Sequence, residues 1–389
     1  MPADESNRSM PCPPSISAHG PDPSAEKLIV GLSGGVDSAV AALRLLEQGY
    51  AVEGLFMKNW EEDDTADYCS AAADLADAEA VAERLGIGLR TVSFASEYWD
   101  QVFTHFLAEH RAGRTPNPDV LCNREIKFQA FLDHALWLGA SGIATGHYAR
   151  ITEDRAAARL RLAADPAKDQ TYFLYLLRQD QLRRSRFPLA DLTKSEVRAI
   201  ARRAGLANAE KKDSTGICFI GERRFRDFLA RYLPSTPGPI ETPEGQVIGE
   251  HQGAAYYTIG QRQGLGIGGL AGQAEAPWFV ARKDIARNAL IVVQGTDHPL
   301  LMSREVEGAQ LHWIAEQPPG APPYRCRARL RHRQPLQDCL LLSYDDSVCR
   351  VAFEQPQRAV TPGQAIVLYR DDECLGGAVI TQASSSVRV

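Results

Sequence analysis

Three stretches of this 389-residue chain hold residue types that can do chemistry at the spacing they have. The first is Gly31-Leu32-Ser33-Gly34-Gly35-Val36-Asp37-Ser38. It follows a short branched apolar run, Leu28 to Leu32, which reads as a buried parallel strand, and precedes a helical stretch, Ala39 to Leu46, ended by Gly49. A strand, a glycine turn and a helix N-terminus make an anion site, because the first backbone N–H groups of a helix have no internal partner. Gly34 and Gly35 let the backbone approach a phosphate closely, and the hydroxyls of Ser33 and Ser38 add donors. The other two stretches hold cysteines. Cys122 ends Asn117-Pro118-Asp119-Val120-Leu121-Cys122, just before a predicted helix, Asn123 to Leu138. Cys218 lies in Asp213-Ser214-Thr215-Gly216-Ile217-Cys218-Phe219, after Lys211 and Lys212. A helix start or a nearby lysine shifts a thiol toward thiolate, so each is a candidate nucleophile. Taken alone, each reads more readily as an inert buried cysteine.

The elements that must position these residues follow from periodicity. Ala51 to Met57 and Leu89 to Phe94 read as strands, Gly142 to Thr145 as a short one. Ala71 to Leu85, Glu97 to Arg111 and Asn123 to Leu138 read as helices between them. Strands alternating with helices predict a doubly wound parallel sheet, an α/β fold, with ligands beyond the carboxyl ends of the strands. The loops Ser33–Ser38, Met57–Trp60 and Gly146-His147-Tyr148 would share one rim. Residues 169–231 read as mostly helical, with a capping box at Thr193-Lys194-Ser195-Glu196. Pro234 to Pro243 is a turn-rich linker, and short strands with frequent Gly and Pro follow. The expected division is a disordered tail (1–25), an α/β domain with a helical extension (26–231), a small central mostly-β domain (232–297) and a C-terminal β-barrel (298–389).

Composition excludes several classes. No apolar run is long enough to span a membrane as a helix. Eight Cys in a chain this long, with no C-x-x-C, make neither a disulfide scaffold nor a zinc ribbon, which points to a reducing, cytoplasmic setting. The acidic run Glu61 to Asp67 reads as a solvated loop. The net charge of −6 confines any polyanion site to local patches. Two such patches stand out. Arg178 to Arg231 holds 14 Lys/Arg against 7 Asp/Glu. Arg325 to Arg333 alternates so that, as one strand, it would put five arginines on one face, where either a phosphate backbone or cross-strand carboxylates must meet them. Gly264 to Gly269 matches G-x-G-x-x-G, but no helix follows, so it reads as a glycine loop rather than a dinucleotide site. The turn at Gly31–Ser38 likewise lacks the lysine of a Walker A loop.

Ser33-Gly34-Gly35-Val36-Asp37-Ser38 resembles the loop of the ATP pyrophosphatases (PP-loop enzymes, of the adenine nucleotide alpha-hydrolase-like fold), which adenylate a carbonyl oxygen. Six motifs in order, GLSGGVDS, NPDVLCNREIKF, ATGHYAR, KDQTYFL, STGICFIGERRF and TIGQRQGLGIGG, resemble the tRNA-specific 2-thiouridylase family over roughly residues 27 to 380. That resemblance implies ATP-dependent replacement of the C2 oxygen of a wobble uridine by sulfur, with release of AMP and pyrophosphate. It implies ATP contacts at Gly31, Leu32, Ser33, Gly34, Gly35, Val36, Asp37, Ser38, Met57 and Gly146. It implies target-base and tRNA contacts at Asn117, Pro118, Asp119, Lys168, Asp169, Gln170, Arg331 and His332, the last at a position where the family often has Tyr. Asp119 would act as general acid or base, Cys218 would carry a persulfide, and Cys122 would attack it or close a disulfide with it. Magnesium is expected with ATP, its ligands unread apart from the candidate Asp37. The implied partners are a tRNA anticodon stem-loop and a persulfide sulfur-donor protein. Two other readings remain: an amide-forming synthetase with the same loop, which would need an ammonia source, and a nucleotide-regulated RNA-binding module, which leaves both cysteines without a role.

Overall fold

The computed structural model describes residues 25–60, 70–154, 156–212, 225–234, 236–268 and 276–385. The N-terminal tail, the acidic loop, Cys218 and the end of the glycine loop from residue 269 lie outside the described residues.

The first sheet is built from β1 (Lys27–Gly31), β2 (Ala51–Lys58), β3 (Leu89–Ser93) and β4 (Gly142–Ala144). A hairpin, β5 (Arg150–Glu153) and β6 (Ala158–Arg161), then leaves it, and β7 (Ser185–Arg186) returns to it. The strand order is β3-β2-β1-β4-β7, every pairing parallel. Leu28 and Val30 pack one face with the helix Val36–Glu47, and Ile29 packs the other with Phe103, Phe131 and Ile143. Burial on both faces explains the unbroken apolar run of β1. β1 has β2 on one side and β4 on the other, so a crevice opens where the chain switches direction, at the carboxyl ends of β1 and β4.

The stretch expected as one helix from Asn123 begins earlier and is not uniform. It starts at Pro118, capped by Asn117 Oδ1, which accepts from Asp119 N at 3.2 Å. After Leu121 it is π-wound from Cys122 to Ala130, and it ends as an α-helix, Phe131–Trp137. The capping box at Thr193 is present, the Glu196 carboxylate accepting from Thr193 N at 2.7 Å.

The central unit pairs β8 (Gly238–Glu241), β9 (Val247–His251), β10 (Trp278–Asp284) and β11 (Ala289–Gln294) in the order β10-β11-β8-β9. The C-terminal strands are β12 (Met302–Trp313), β13 (Tyr324–Arg329), β14 (Gln337–Tyr344), β15 (Val348–Arg358), β16 (Ala365–Arg370) and β17 (Glu373–Ser385). They run β12-β15-β14-β13-β16-β17, and β17 pairs back with β12, closing an antiparallel barrel. The hairpin β5–β6 extends this sheet through β6 on β17, so residues 150–161 join the α/β domain to the barrel.

The arginine strand is shorter than its alternation predicts. β13 ends at Arg329, and the chain turns at Arg331, where Gln334 N donates to Arg331 O. Arg325 pairs with Glu354 of β15, one strand beyond its neighbour β14, and Arg327 bonds the carbonyl of Asp371. Arg329 points inward, 7% exposed. A carboxylate thus meets Arg325 and Arg329 and a carbonyl meets Arg327, while Arg331 and Arg333 fall beyond the strand.

Candidate active site

A cavity of about 680 Å³ opens at the β1/β4 switch. Gly31, Leu32, Ser33, Gly35, Val36, Asp37, Ser38, Met57 and Gly146 line it, together with Asp119, Lys168, Gln170 and His332. The three loops expected to share a rim do so, through Asn59, His147 and Tyr148 besides these.

The loop after β1 is shaped by two glycines. Gly34 has φ +74°, and a Cβ there would lie 2.3 Å from the Asp74 carbonyl oxygen. A Cβ on Gly146 would lie 2.7 Å from Asp37 C and Ser38 N, so the loop after β4 meets the helix start only without a side chain. The helix Val36–Glu47 has Gly35 at its N-cap and no side-chain cap bond, which leaves its first N–H groups to a ligand. The serine hydroxyls brace the turn: Ser38 Oγ donates to Gly35 O at 3.0 Å and accepts from Ser33 N at 3.2 Å. Asp37 is held by Lys194 Nζ at 2.8 Å to both carboxylate oxygens and by Tyr148 OH at 2.8 Å. That carboxylate is therefore committed, and it does not fit a magnesium ligand in this arrangement. Among the described residues no group of three or more His, Cys, Asp or Glu is placed to hold a metal.

The opposite wall comes from the helix that starts at Pro118. Asp119, Asn123 and Lys127 face the cavity. Burial raises the Asp119 carboxyl above its ordinary value, and Lys127 opposes the rise. Burial, then Lys127, holds His147 neutral, well below the usual imidazole range, and Thr145 Oγ1 bonds its Nδ1 at 2.8 Å. Cys122 does not line the cavity and is 1% exposed. It is the fifth residue of its helix rather than its start, beyond the first turn in which the dipole acts. Any nucleophilic role needs it uncovered.

Lys168, Asp169 and Gln170 divide between two tasks. Lys168 and Gln170 line the cavity. Asp169 is 2% exposed and faces inward: it pairs with Arg329 at 2.7 Å and accepts from Thr171 Oγ1 at 2.6 Å and Ala163 N at 2.9 Å. Its carboxylate anchors the loop to the barrel and does not line the cavity. His332 Nε2 lies 2.9 Å from the Asp169 carbonyl oxygen, and the His332 ring packs on Phe173 with centroids 4.3 Å apart. Arg331 reaches carbonyls of Ile259 and Ala359 and does not line the cavity; neither do Asn117 and Pro118. Of the cationic stretch 178–231, Lys194 holds Asp37, Arg202 pairs with Glu210, and Lys211 pairs with Asp74 and Asp77. Burial would lower Lys211, but those two carboxylates outweigh it and raise the ammonium above its ordinary value. Lys127, Lys211, Lys212 and Arg333 nevertheless give the cavity a cationic lining. Asn123 and Lys127 escaped sequence reading because a helix expected to begin at Asn123 shows no four-residue stripe running from Asp119.

The chain is similar to known proteins over most of its length. Family models match residues 26–222 (tRNA methyl transferase HUP domain), 226–294 (tRNA methyl transferase PRC-barrel domain) and 303–380 (aminomethyltransferase beta-barrel domain). The chain is 59% identical over 370 residues to the tRNA-specific 2-thiouridylase MnmA of Pseudomonas aeruginosa, covering 95% of this chain and 98% of that one. It is 60% identical to the protein of the same name from Alcanivorax borkumensis (93% and 99% covered) and 60% identical to that of Methylococcus capsulatus (91% and 95% covered). Among solved structures, a 4-thiouridine synthetase–RNA complex with bound ATP overlaps 53% of this chain and 49% of that one at 16% identity, with a TM-score of 0.33.

Proposed function

The chain belongs to the tRNA-specific 2-thiouridylase family, and from that premise we propose that it is a tRNA 2-thiouridylase acting through an adenylated base. One observation carries the mechanism. A single cavity joins an uncapped helix N-terminus at the sheet's switch point to a half-buried carboxyl, Asp119, and to the rim of Lys168, Gln170 and Arg333.

The backbone N–H groups of Gly34 to Ser38 and the helix start take the ATP phosphates, with Gly31, Leu32 and Met57 toward the adenine and Gly146 giving the ribose side room. The wobble base, unstacked from its loop, enters beside Asp119 at modest cost because the anticodon loop is single-stranded. The uracil O2 attacks the α-phosphorus, pyrophosphate leaves, and the N3 proton passes to a base, the role given to Asp119. The oxygen is now part of AMP, a far better leaving group than a pyrimidine carbonyl oxygen. Sulfur carried as a persulfide on Cys218 then replaces it. The Cys122 thiolate attacks Sγ of Cys218, so the terminal sulfur stays with the base or departs as sulfide that attacks C2. By either route a Cys122–Cys218 disulfide forms, N3 regains a proton, and a dithiol reductant must restore the enzyme. The burial of Cys122 supports a loop movement before that step. A persulfide donor protein and the anticodon stem-loop are the partners this requires. Magnesium would come with the ATP phosphates, and no step above is routed through it.

Nucleoside mass spectrometry tests this with unmodified tRNA, ATP, magnesium and a persulfide source. The expected product is 2-thiouridine, absent with Cys122→Ser and Cys218→Ser, while the Cys218→Ser variant still forms AMP in a tRNA-dependent way. Full thiolation by Cys218→Ser overturns the persulfide assignment. AMP release with no thiolated base favours an amidating synthetase.

A further inference from the structure

Along the wall helix, Asp119, Asn123 and Lys127 stand at four-residue spacing, and all three line the cavity. The π-wound stretch begins at Cys122. Residues four apart share a face of a helix, and π-wound stretches recur at functional sites. Asn123 is 3% exposed. Its Nδ2 donates to the Phe173 carbonyl at 3.3 Å. A carbonyl can only accept, so this bond settles which end of the amide is oxygen. The Oδ1 has no hydrogen-bond partner among the described residues. A buried acceptor left bare is costly, and with no accessible surface of its own this one meets a ligand's donor once the wall around it yields, the same movement that uncovers its neighbour Cys122. Phe173 lines the same cavity and offers an apolar ring beside it.

We propose that Asn123 selects the target pyrimidine: its Oδ1 accepts the N3–H of a uracil docked against Phe173. Cytosine carries a lone pair at N3, so two acceptors would face each other and the base is rejected. Lys127, one turn on, is a donor for a carbonyl flanking that N3–H. The inference rests on the thiouridylase reading of the site and adds to it the residue that distinguishes uracil from cytosine. Asn123 acts on the bound base before its N3 proton leaves, so it governs binding more than the chemical step.

The test uses the full chain with a non-hydrolysable ATP analogue and two anticodon stem-loop RNAs that differ only in U or C at the wobble position. Binding is read by fluorescence anisotropy, and thiolation of the U form by nucleoside mass spectrometry. The wild type is expected to bind the U form at least about tenfold more tightly, and Asn123→Ala to bind both forms within about threefold. In Asn123→Ala the KM for the U form rises about 10- to 100-fold while kcat changes less. Should Asn123→Ala fail to fold, wild-type binding of a stem-loop carrying 3-methyluridine, which lacks the N3–H, decides the matter. Equal binding of U and C by the wild type, retention of the full preference by Asn123→Ala, or undiminished binding of 3-methyluridine overturns the inference. A wild type that thiolates neither RNA overturns the functional reading instead.

Discussion

Replacing Arg329 by Met removes one partner of a pair buried between the barrel and the α/β domain. The side chains of Arg329 and Asp169 are 8% and 1% exposed, and their atoms lie 2.7 Å apart. Arg329 also lies over the Tyr369 ring, 5.4 Å from its centroid. In the Arg329→Met variant the Asp169 carboxylate keeps two donors, Thr171 Oγ1 and Ala163 N, but loses its counter-charge. Leaving a buried charge without its partner costs about 3–5 kcal/mol. Replacing both partners, as in Arg329→Met with Asp169→Leu, removes the stranded charge, so the double variant loses about 2 kcal/mol less than the sum of the single losses. Denaturant unfolding of the four proteins measures this directly. The function should follow. Asp169 fixes the loop that presents Lys168 and Gln170 to the cavity, so the single variants raise the KM for tRNA about tenfold while the affinity for ATP is unchanged. Single losses below about 1 kcal/mol, or strict additivity, would refute the claim that this pair holds the rim in place.

Other outcomes are as concrete. Lys194→Ala strips Asp37 of its counter-charge and leaves a carboxylate beside the phosphate loop; isothermal calorimetry should show ATP affinity reduced about tenfold, with Tyr148→Phe giving a smaller loss. Gly146→Ala places a methyl 2.7 Å from Asp37 C and Ser38 N, so ATP affinity falls by more than about tenfold while the barrel's unfolding transition is unchanged. Asp119 titrates above its ordinary value, so the folded state holds that proton more tightly than the unfolded one. Stability from it is present at low pH and lost as pH rises through the folded value; Asp119→Asn is therefore more stable than wild type at pH 8, a gap that closes in acid, while thiolation is lost. His110 is pushed down to about 4 from 6.5 by burial. The unfolded chain takes up its proton first as pH falls, so about 3 kcal/mol of stability disappears between pH 6.5 and 4, and His110→Leu should show a flatter profile in urea unfolding.

Local patterns carried the parts of the site whose geometry is local. A branched apolar run, two adjacent glycines and a helix are sufficient for an anion-binding turn, and Gly34 at φ +74° shows why that position takes glycine. The Thr193 capping box involves groups only three residues apart and was legible for the same reason. Alternation from Arg325 to Arg333 misled because period 2 says which residues share a face only while a strand persists, and β13 stops at Arg329. Asp169 stands beside Lys168 and Gln170 in sequence, yet its ion-pair partner, Arg329, lies 160 residues away and nothing local announces it.

From its residues alone this chain determined the parallel sheet, the glycine turn at its switch point, the barrel that follows and, through six ordered motifs, the family. These depend on backbone preference and on apolar periodicity, which act over a few residues. Only the tertiary structure decided that β17 closes the barrel on β12 while the hairpin β5–β6 joins its sheet, that Asp169 is an internal anchor, that Cys122 lies buried behind the wall, and that Asn123 lines the cavity with a bare acceptor. Each of these depends on which distant segment removes a group from water, and a residue's type and neighbours in sequence do not specify that.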